Sequence, residues 1–190
     1  MMDKISEVEK VTEMDKVSKM KKILVMDAKN YSEDLEEIYR VSVRGIIFID
    51  GKLLMIEDDF GEVKLPGGGV DEGEDEYAAL VREVKEETGY DVILESIKPF
   101  GEIEEKRLSI HEPMIWHQIS RLYFCDVYPE QGQCEYTDNE MKYGFKQVLY
   151  TLDEAIEKNR LMLEREGKQA WNQREYRTLL LIKDYLLNHK

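Results

Sequence analysis

Three glutamates, Glu83, Glu86 and Glu87, stand at i, i+3 and i+4, a short way after the run Pro66-Gly67-Gly68-Gly69. On a helix, at about 100° per residue, that spacing puts the three carboxylates within roughly a third of the circumference. Like charges so placed repel, and the nearest cation in sequence, Lys85, falls on another face. A compensating cation is therefore expected. Hard divalent ions take oxygen ligands, and Mg²⁺ binds one or two carboxylates together with waters and substrate phosphate oxygens. Proline bars a helix at the glycine run, and glycine opens backbone geometries closed to other residues. An acidic helix face beside a tight loop is thus a place to hold a divalent ion against a phosphate-bearing substrate.

In a chain this acidic, three glutamates on a helix are ordinarily solvated surface. The wider spacing argues otherwise. Gly68, five residues, Glu74, seven residues, then Arg82-Glu83-Val84-Lys85-Glu86-Glu87-Thr88-Gly89 gives seven fixed identities. Chance placement of such a set is on the order of 10⁻⁵ at ordinary residue frequencies.

Several elements must position these groups. Residues 74 to 88 form a helix by propensity and stop at Gly89, with Tyr77, Leu80, Val81, Val84 and Thr88 on a stripe that can pack on a sheet. Upstream, Tyr39 to Ile56 reads as two β-branched and aliphatic runs joined by Asp50-Gly51, a β-hairpin signal, and Val63 to Leu65 leads into the loop. Downstream, Val92 to Lys106 and Ile115 to Val127 read as strands, Pro129 to Gly144 as a polar loop, and Phe145 to Leu149 as a last strand. Thr151 to Glu154 has the spacing of a capping box, and residues 172 to 187 make a final amphipathic helix. Strands and helices without regular βαβ alternation predict an α+β sandwich with a mixed β-sheet.

The chain has 190 residues, 41 acidic and 27 basic side chains, and a formal charge of −14. That field repels polyanions and speaks against a nucleic-acid scaffold, so a phosphate-bearing substrate must be drawn in by a local device. No apolar run suits a membrane span. Cys125 and Cys134 have no CxxC spacing and no secretory signal precedes them, which fits a cytoplasmic protein. Residues 1–20 are charged throughout, with apolar residues at a three-residue step that drifts around a helix, and read as a dispensable low-complexity extension. Residues 21–190 then form one domain, with C-terminal helices over 151–187 whose final apolar stripe fits both core closure and a homodimer seam.

The segment Gly68 to Tyr90, GGVDEGEDEYAALVREVKEETGY, resembles the signature of the Nudix hydrolase family, Gx5Ex7REUxEExGU with U aliphatic. Tyr90 departs from the aliphatic pattern, a packing change just past the helix that touches no ligand position. The flanks agree, since Leu65-Pro66-Gly67 precedes the box and Phe145 to Ala155 resembles the family's closing strand and helix. The resemblance implies a Nudix-type α/β/α sandwich and Mg²⁺- or Mn²⁺-dependent hydrolysis of a nucleoside diphosphate linked to another group, a small nucleotide-type substrate. It implies Glu83 and Glu87 as principal metal ligands, Glu86 as a further ligand or water-orienting group, and the Gly67 carbonyl as an additional contact. Glu74 and Arg82 would be structural, a planar Arg bracing carboxylates that otherwise repel, with Gly68 and Gly89 shaping the backbone. For the general base, relatives use a carboxylate of the box, here Glu83 or Glu86, or one from a late loop, here Glu135, Asp138 or Glu140, of which Glu140 is preferred.

Outside the box, Arg44, Arg107 and Arg121 are candidates for distal phosphates, Arg44 foremost, although a surface ion pair is the default for each. Trp116, Tyr123, Phe124 and Tyr143 are candidates to stack on a base, with core packing the default. His111 and His117 are not at metal-ligand spacing and receive no role. A nucleotide-sensing module without turnover is the competing function, since fold does not fix activity. An isomerase acting on an allylic diphosphate would need a reactive thiol, and Cys125 lies in an apolar run.

Overall fold

A computed structural model describes residues 20–110, 112–165 and 171–189. Residues 1–19, read above as an extension, and His111 lie outside the described residues.

The strands are β1 (Lys22–Asp27), β2 (Glu37–Ile46), β3 (Phe48–Ile49), β4 (Lys52–Glu57), β5 (Val63–Lys64), β6 (Tyr90–Val92), β7 (Lys98–Leu108), β8 (Ile115–Phe124), β9 (Val127–Gln131) and β10 (Lys146–Tyr150). The helices are α1 (Glu76–Thr88), α2 (Asp138–Lys142), α3 (Leu152–Leu163) and α4 (Asn172–Asn188). One four-stranded sheet runs β1-β7-β8-β2 and a second runs β10-β4-β3, with β5 added to β4. The first is mixed, because β1 is parallel to β7 and β2 to β8 while β7 and β8 are antiparallel.

Alternation sorts β2 and β8 into two faces. Val43 and Tyr123 join Leu80 and Val84 of α1 in one buried cluster; Ile46, Leu122 and Ile103 join Leu179 and Ile182 of α4 in another. The sheets are thus held between α1 on one side and α3 and α4 on the other, the expected α+β sandwich. Leu179 and Ile182 are fully buried, so the apolar stripe of α4 closes the core.

The hairpin at Asp50-Gly51 is present, both residues adopting positive φ (50° and 76°) as a primed turn requires. It joins only β3 to β4. The run before it breaks at Ile47, because β2 belongs to the other sheet and pairs with β8 over its whole length. The expected strand from Val92 is likewise divided by a 3₁₀ turn over Leu94–Ser96, and the polar loop contains the end of β9 and the short helix α2. β1 is held by parallel pairing with β7 far along the chain. Among the described residues no helix is long and apolar enough to cross a membrane.

Candidate active site

The glycine loop lies along the free edge of β2. Val43 N donates to the Gly68 carbonyl at 2.9 Å, Gly45 N to the Pro66 carbonyl at 2.9 Å and Val70 N to the Val41 carbonyl at 3.1 Å. Gly67 has φ 134°, and a Cβ there would collide with the Val43 carbonyl, so this position admits only glycine. A Cβ on Gly68 would instead run into the carboxylate of Glu83. The loop and the acidic helix touch where the sequence has no side chain.

α1 begins at Asp75, whose side chain accepts from Tyr77 N and Ala78 N, and ends at Gly89 in the left-handed conformation (φ 74°). Leu80, Val84 and Thr88 are buried, which turns the opposite stripe to the loop. Arg82 is the hub of that stripe. Its Nε and Nη2 grip both oxygens of Glu74 at 2.8 and 2.9 Å, Nη1 reaches Glu83 at 2.8 Å and Glu86 at 3.3 Å, and Nη2 also donates to the Gly69 carbonyl at 3.1 Å. All five N–H groups of the guanidinium thus find an acceptor. The bonds from Arg82 hold the Glu74 carboxyl at about 2, well below the usual carboxylate range. Burial raises the Glu83 carboxyl, and the negative charge of Glu87 adds to that rise against the pull of Arg82.

Glu87 is buried at 2% exposure and holds the loop from the other side. It accepts from Gly67 N at 2.7 Å and from Lys64 Nζ at 2.7 Å. Glu86 is more open, and its Oε1 accepts no hydrogen bond among the described residues. A main-chain bond from Glu135 N to the Glu86 carbonyl and a side-chain bond from Tyr136 Oη to the Glu87 carbonyl dock the 132–137 segment on the end of α1.

The structure therefore brings Gly67, Gly68, Glu74, Arg82, Glu83, Glu86 and Glu87 into one place. Two expected residues are engaged with other partners in the fold. Arg44 is buried, not free for substrate: its Nη1 donates to the Gly67 carbonyl beneath the loop. Glu140 closes a capping box at the start of α2, its Oε2 accepting from Thr137 N and Oγ1 at 2.8 and 2.9 Å. Its type and position are those that a helix N-terminus requires. Arg121 pairs with Glu76 on the face covered by α1. Sequence reasoning missed Lys64 and Glu175. Glu175 lies on α4, yet its Oε2 accepts from Leu65 N at 3.1 Å, and Arg174 beside it bonds Glu105 at 2.9 Å. Its separation of 110 residues from Leu65 leaves no local signal.

Among the described residues no three carboxylate, imidazole or thiolate groups converge as a ready ligand set. In kind the donors fit Mg²⁺ or Mn²⁺, since Glu83, Glu86, Glu87 and the Gly67 carbonyl offer only hard oxygens. The mutual repulsion of Glu83 and Glu87 is what a cation would relieve.

Residues 38–171 match the NUDIX domain, and the chain belongs to that family. It is 28% identical over 95 residues to YjhB of Bacillus subtilis (strain 168), provisionally named an ADP-ribose pyrophosphatase; the match spans 50% of this chain and 44% of that protein. The chain thus covers less than half the length of that relative. Among solved structures, a NUDIX hydrolase from Nitrosomonas europaea is similar with a TM-score of 0.52 at 18% identity, covering 80% of this chain and 92% of the other. A structure described as an ADP compounds hydrolase has a TM-score of 0.51 at 22% identity, covering 78% and 74%. At these identities the two structures speak for the fold.

Proposed function

We propose that the protein is a metal-dependent pyrophosphohydrolase that cleaves a nucleoside diphosphate linked to another group. The observation that carries this reading is Arg82, which ties Glu74, Glu83, Glu86 and the Gly69 carbonyl into a single unit against the glycine loop. Glu83, Glu87 and the Gly67 carbonyl would hold Mg²⁺ or Mn²⁺, with Glu86 beside them. Such an ion, when bound, neutralises pyrophosphate charge and lowers the pKa of a bound water.

The residues of the chain do the rest. Lys64 and Gly67 N fix Glu87, Arg82 fixes Glu83, and Arg44 fixes the Gly67 carbonyl, so the oxygens are oriented before substrate arrives. Glu86 is assigned as the general base: its Oε1 is unbonded and open, and accepts the proton of the attacking water. The name given to YjhB favours an adenosine diphosphate derivative.

The test is product release from a panel of nucleoside diphosphate derivatives, with Mg²⁺, with Mn²⁺ and with chelator, for wild type, Glu87→Gln and Glu86→Gln. Metal-dependent turnover that collapses in both variants supports the assignment. One observation favours a second reading, a nucleotide sensor without turnover: Glu87 already has a cationic partner in Lys64. Tight nucleotide binding with no turnover across the panel would establish that reading instead.

A further inference from the structure

The sheet face opposite α1 carries a row of cations outside the box, with Arg40 at its near end in the field of Glu83. Arg40 on β2 lies beside the loop, where a Cβ on Gly69 would meet its Nη2 at 2.9 Å. Its guanidinium sits 5.7 Å from the ring centre of Trp116 on β8, and that of Arg107 on β7 sits 5.5 Å from the same ring. Arg107 also lines a cavity of about 270 Å³ where β1, β7 and the start of α4 meet, whose charged lining is Lys106, Arg107 and Arg177 against Asp27 and Glu105, each of these acids already holding partners of its own. From β2 to β1 is three strand spacings, about 14 Å.

Two members of this row keep their guanidiniums free of acids, as the buried Arg44 also does, and a third is only partly engaged. Arg82, Arg121, Arg160 and Arg174 all pair with carboxylates. Arg40 and Arg177 donate to no acceptor among the described residues, although acidic side chains outnumber basic ones 41 to 27. Arg107 commits Nε to Glu105 and Nη1 to the Leu108 carbonyl, leaving Nη2 unused. Trp116 Nε1 is buried without a partner among the described residues. A buried donor left unsatisfied costs free energy, and planar guanidiniums with unused N–H groups match phosphate oxygens in charge and geometry. Below the row, Gln118 bonds Ser42 and Ser120 at 3.0 and 2.8 Å, so the floor is polar and its own donors are satisfied.

We propose that Arg40, Trp116, Arg107 and Arg177 form a second anion subsite, and that the preferred substrate carries a further phosphate at its distal end, beyond the diphosphate that is cleaved. The inference rests on the pyrophosphohydrolase reading for the orientation of the substrate: the scissile diphosphate at the box, the next anionic group at Arg40, the distal phosphate in the cavity between Arg107 and Arg177. The distal phosphate belongs either to a sugar phosphomonoester or to an extended polyphosphate chain.

Two ligand pairs separate these sources: ADP-ribose with and without a terminal phosphomonoester, and diadenosine tetraphosphate against diadenosine diphosphate. Dissociation constants are measured by calorimetry on the full chain with chelator, and KM and kcat with Mg²⁺. The wild type is expected to bind the phosphate-rich member of at least one pair about tenfold more tightly, with the ratio expressed in KM and not in kcat. Arg177→Gln, an exposed residue without a partner, should bring the ratio below about threefold, as should Arg107→Lys, which keeps the charge and loses the fork. Lys183→Gln, whose partner is Asp153 on the outer face, should leave the ratio as in wild type. Equal affinities within both pairs in the wild type, or a preference that survives Arg177→Gln and Arg107→Lys, would overturn the subsite. A preference that follows these variants without any hydrolysis would leave the subsite standing and remove the pyrophosphohydrolase reading.

Discussion

Replacing Arg82 by Lys keeps the charge and removes the fork. The guanidinium makes five hydrogen bonds, to Glu74 twice, Glu83, Glu86 and the Gly69 carbonyl, and an ammonium has three N–H groups on a single nitrogen. At least two bonds are lost. At about 1.5 kcal/mol for each charge-assisted bond, reduced because the Arg82 side chain is 32% exposed, the cost is about 2 kcal/mol. Urea unfolding followed by tryptophan fluorescence would read this as a lower midpoint at unchanged slope. Turnover should fall further than stability, because Glu83 and Glu86 lose their shared anchor and a misplacement of about 1 Å can cost about 100-fold in rate. The pH dependence supplies an independent check. The Glu74 carboxyl is depressed to about 2, so its contribution is fully present above the unfolded value near 4.5 and is lost as pH falls through about 2. In Arg82→Lys the depression of Glu74 shrinks, so less stability is lost on acidification, visible as a shallower decline between about pH 5 and 3. An unfolding midpoint within about 0.5 kcal/mol of wild type, with turnover reduced less than threefold, would refute the hub role assigned to Arg82.

Other perturbations address single contacts. Gly68→Ala drives a methyl group into the Glu83 carboxylate and should abolish turnover while the far-UV circular dichroism spectrum is retained; full activity would show that the loop approaches α1 less closely. Glu175→Gln weakens the acceptor for Leu65 N and removes one of the two carboxylates that hold Arg174, and should cost about 1–3 kcal/mol in thermal or urea unfolding. Glu140→Ala removes the capping partner of Thr137, so stability should fall by about 1 kcal/mol; loss of turnover beyond 100-fold at intact stability would return Glu140 to the role of base. Deleting residues 1–19 should leave the unfolding midpoint unchanged, since Met20 packs on the core and Glu102 N donates to the Lys21 carbonyl; deletion through Asp27 removes β1 and should lower it clearly.

Much of the site was legible because its signals are local. Helix propensity, the glycine stop and the i, i+3, i+4 spacing lie within one turn or two of each other, and α1 forms where they point, from Glu76 to Thr88. Thr151-Leu-Asp-Glu154 likewise forms the capping box that its spacing describes. The Asp50-Gly51 turn was readable for the same reason, since positive φ is a property of the residues themselves.

Tertiary structure decided which partner each of these groups meets. β2 leaves the hairpin to pair with β8, about eighty residues on, a choice made by burial of both sheet faces and by no pattern inside β2 itself. Arg44 reads in sequence as a cation available to substrate, and the loop folded over it makes it a brace for Gly67. Lys64 and Glu175 reach Glu87 and Leu65 across 23 and 110 residues. The sequence by itself thus determined the acidic helix, its cap, its stop and the glycine loop, whose causes lie in neighbouring residues. Only the packed molecule decided which cation neutralises which carboxylate and which arginines are left without an acid, because electrostatic pairing depends on distance in space, and distant strands and helices set that distance.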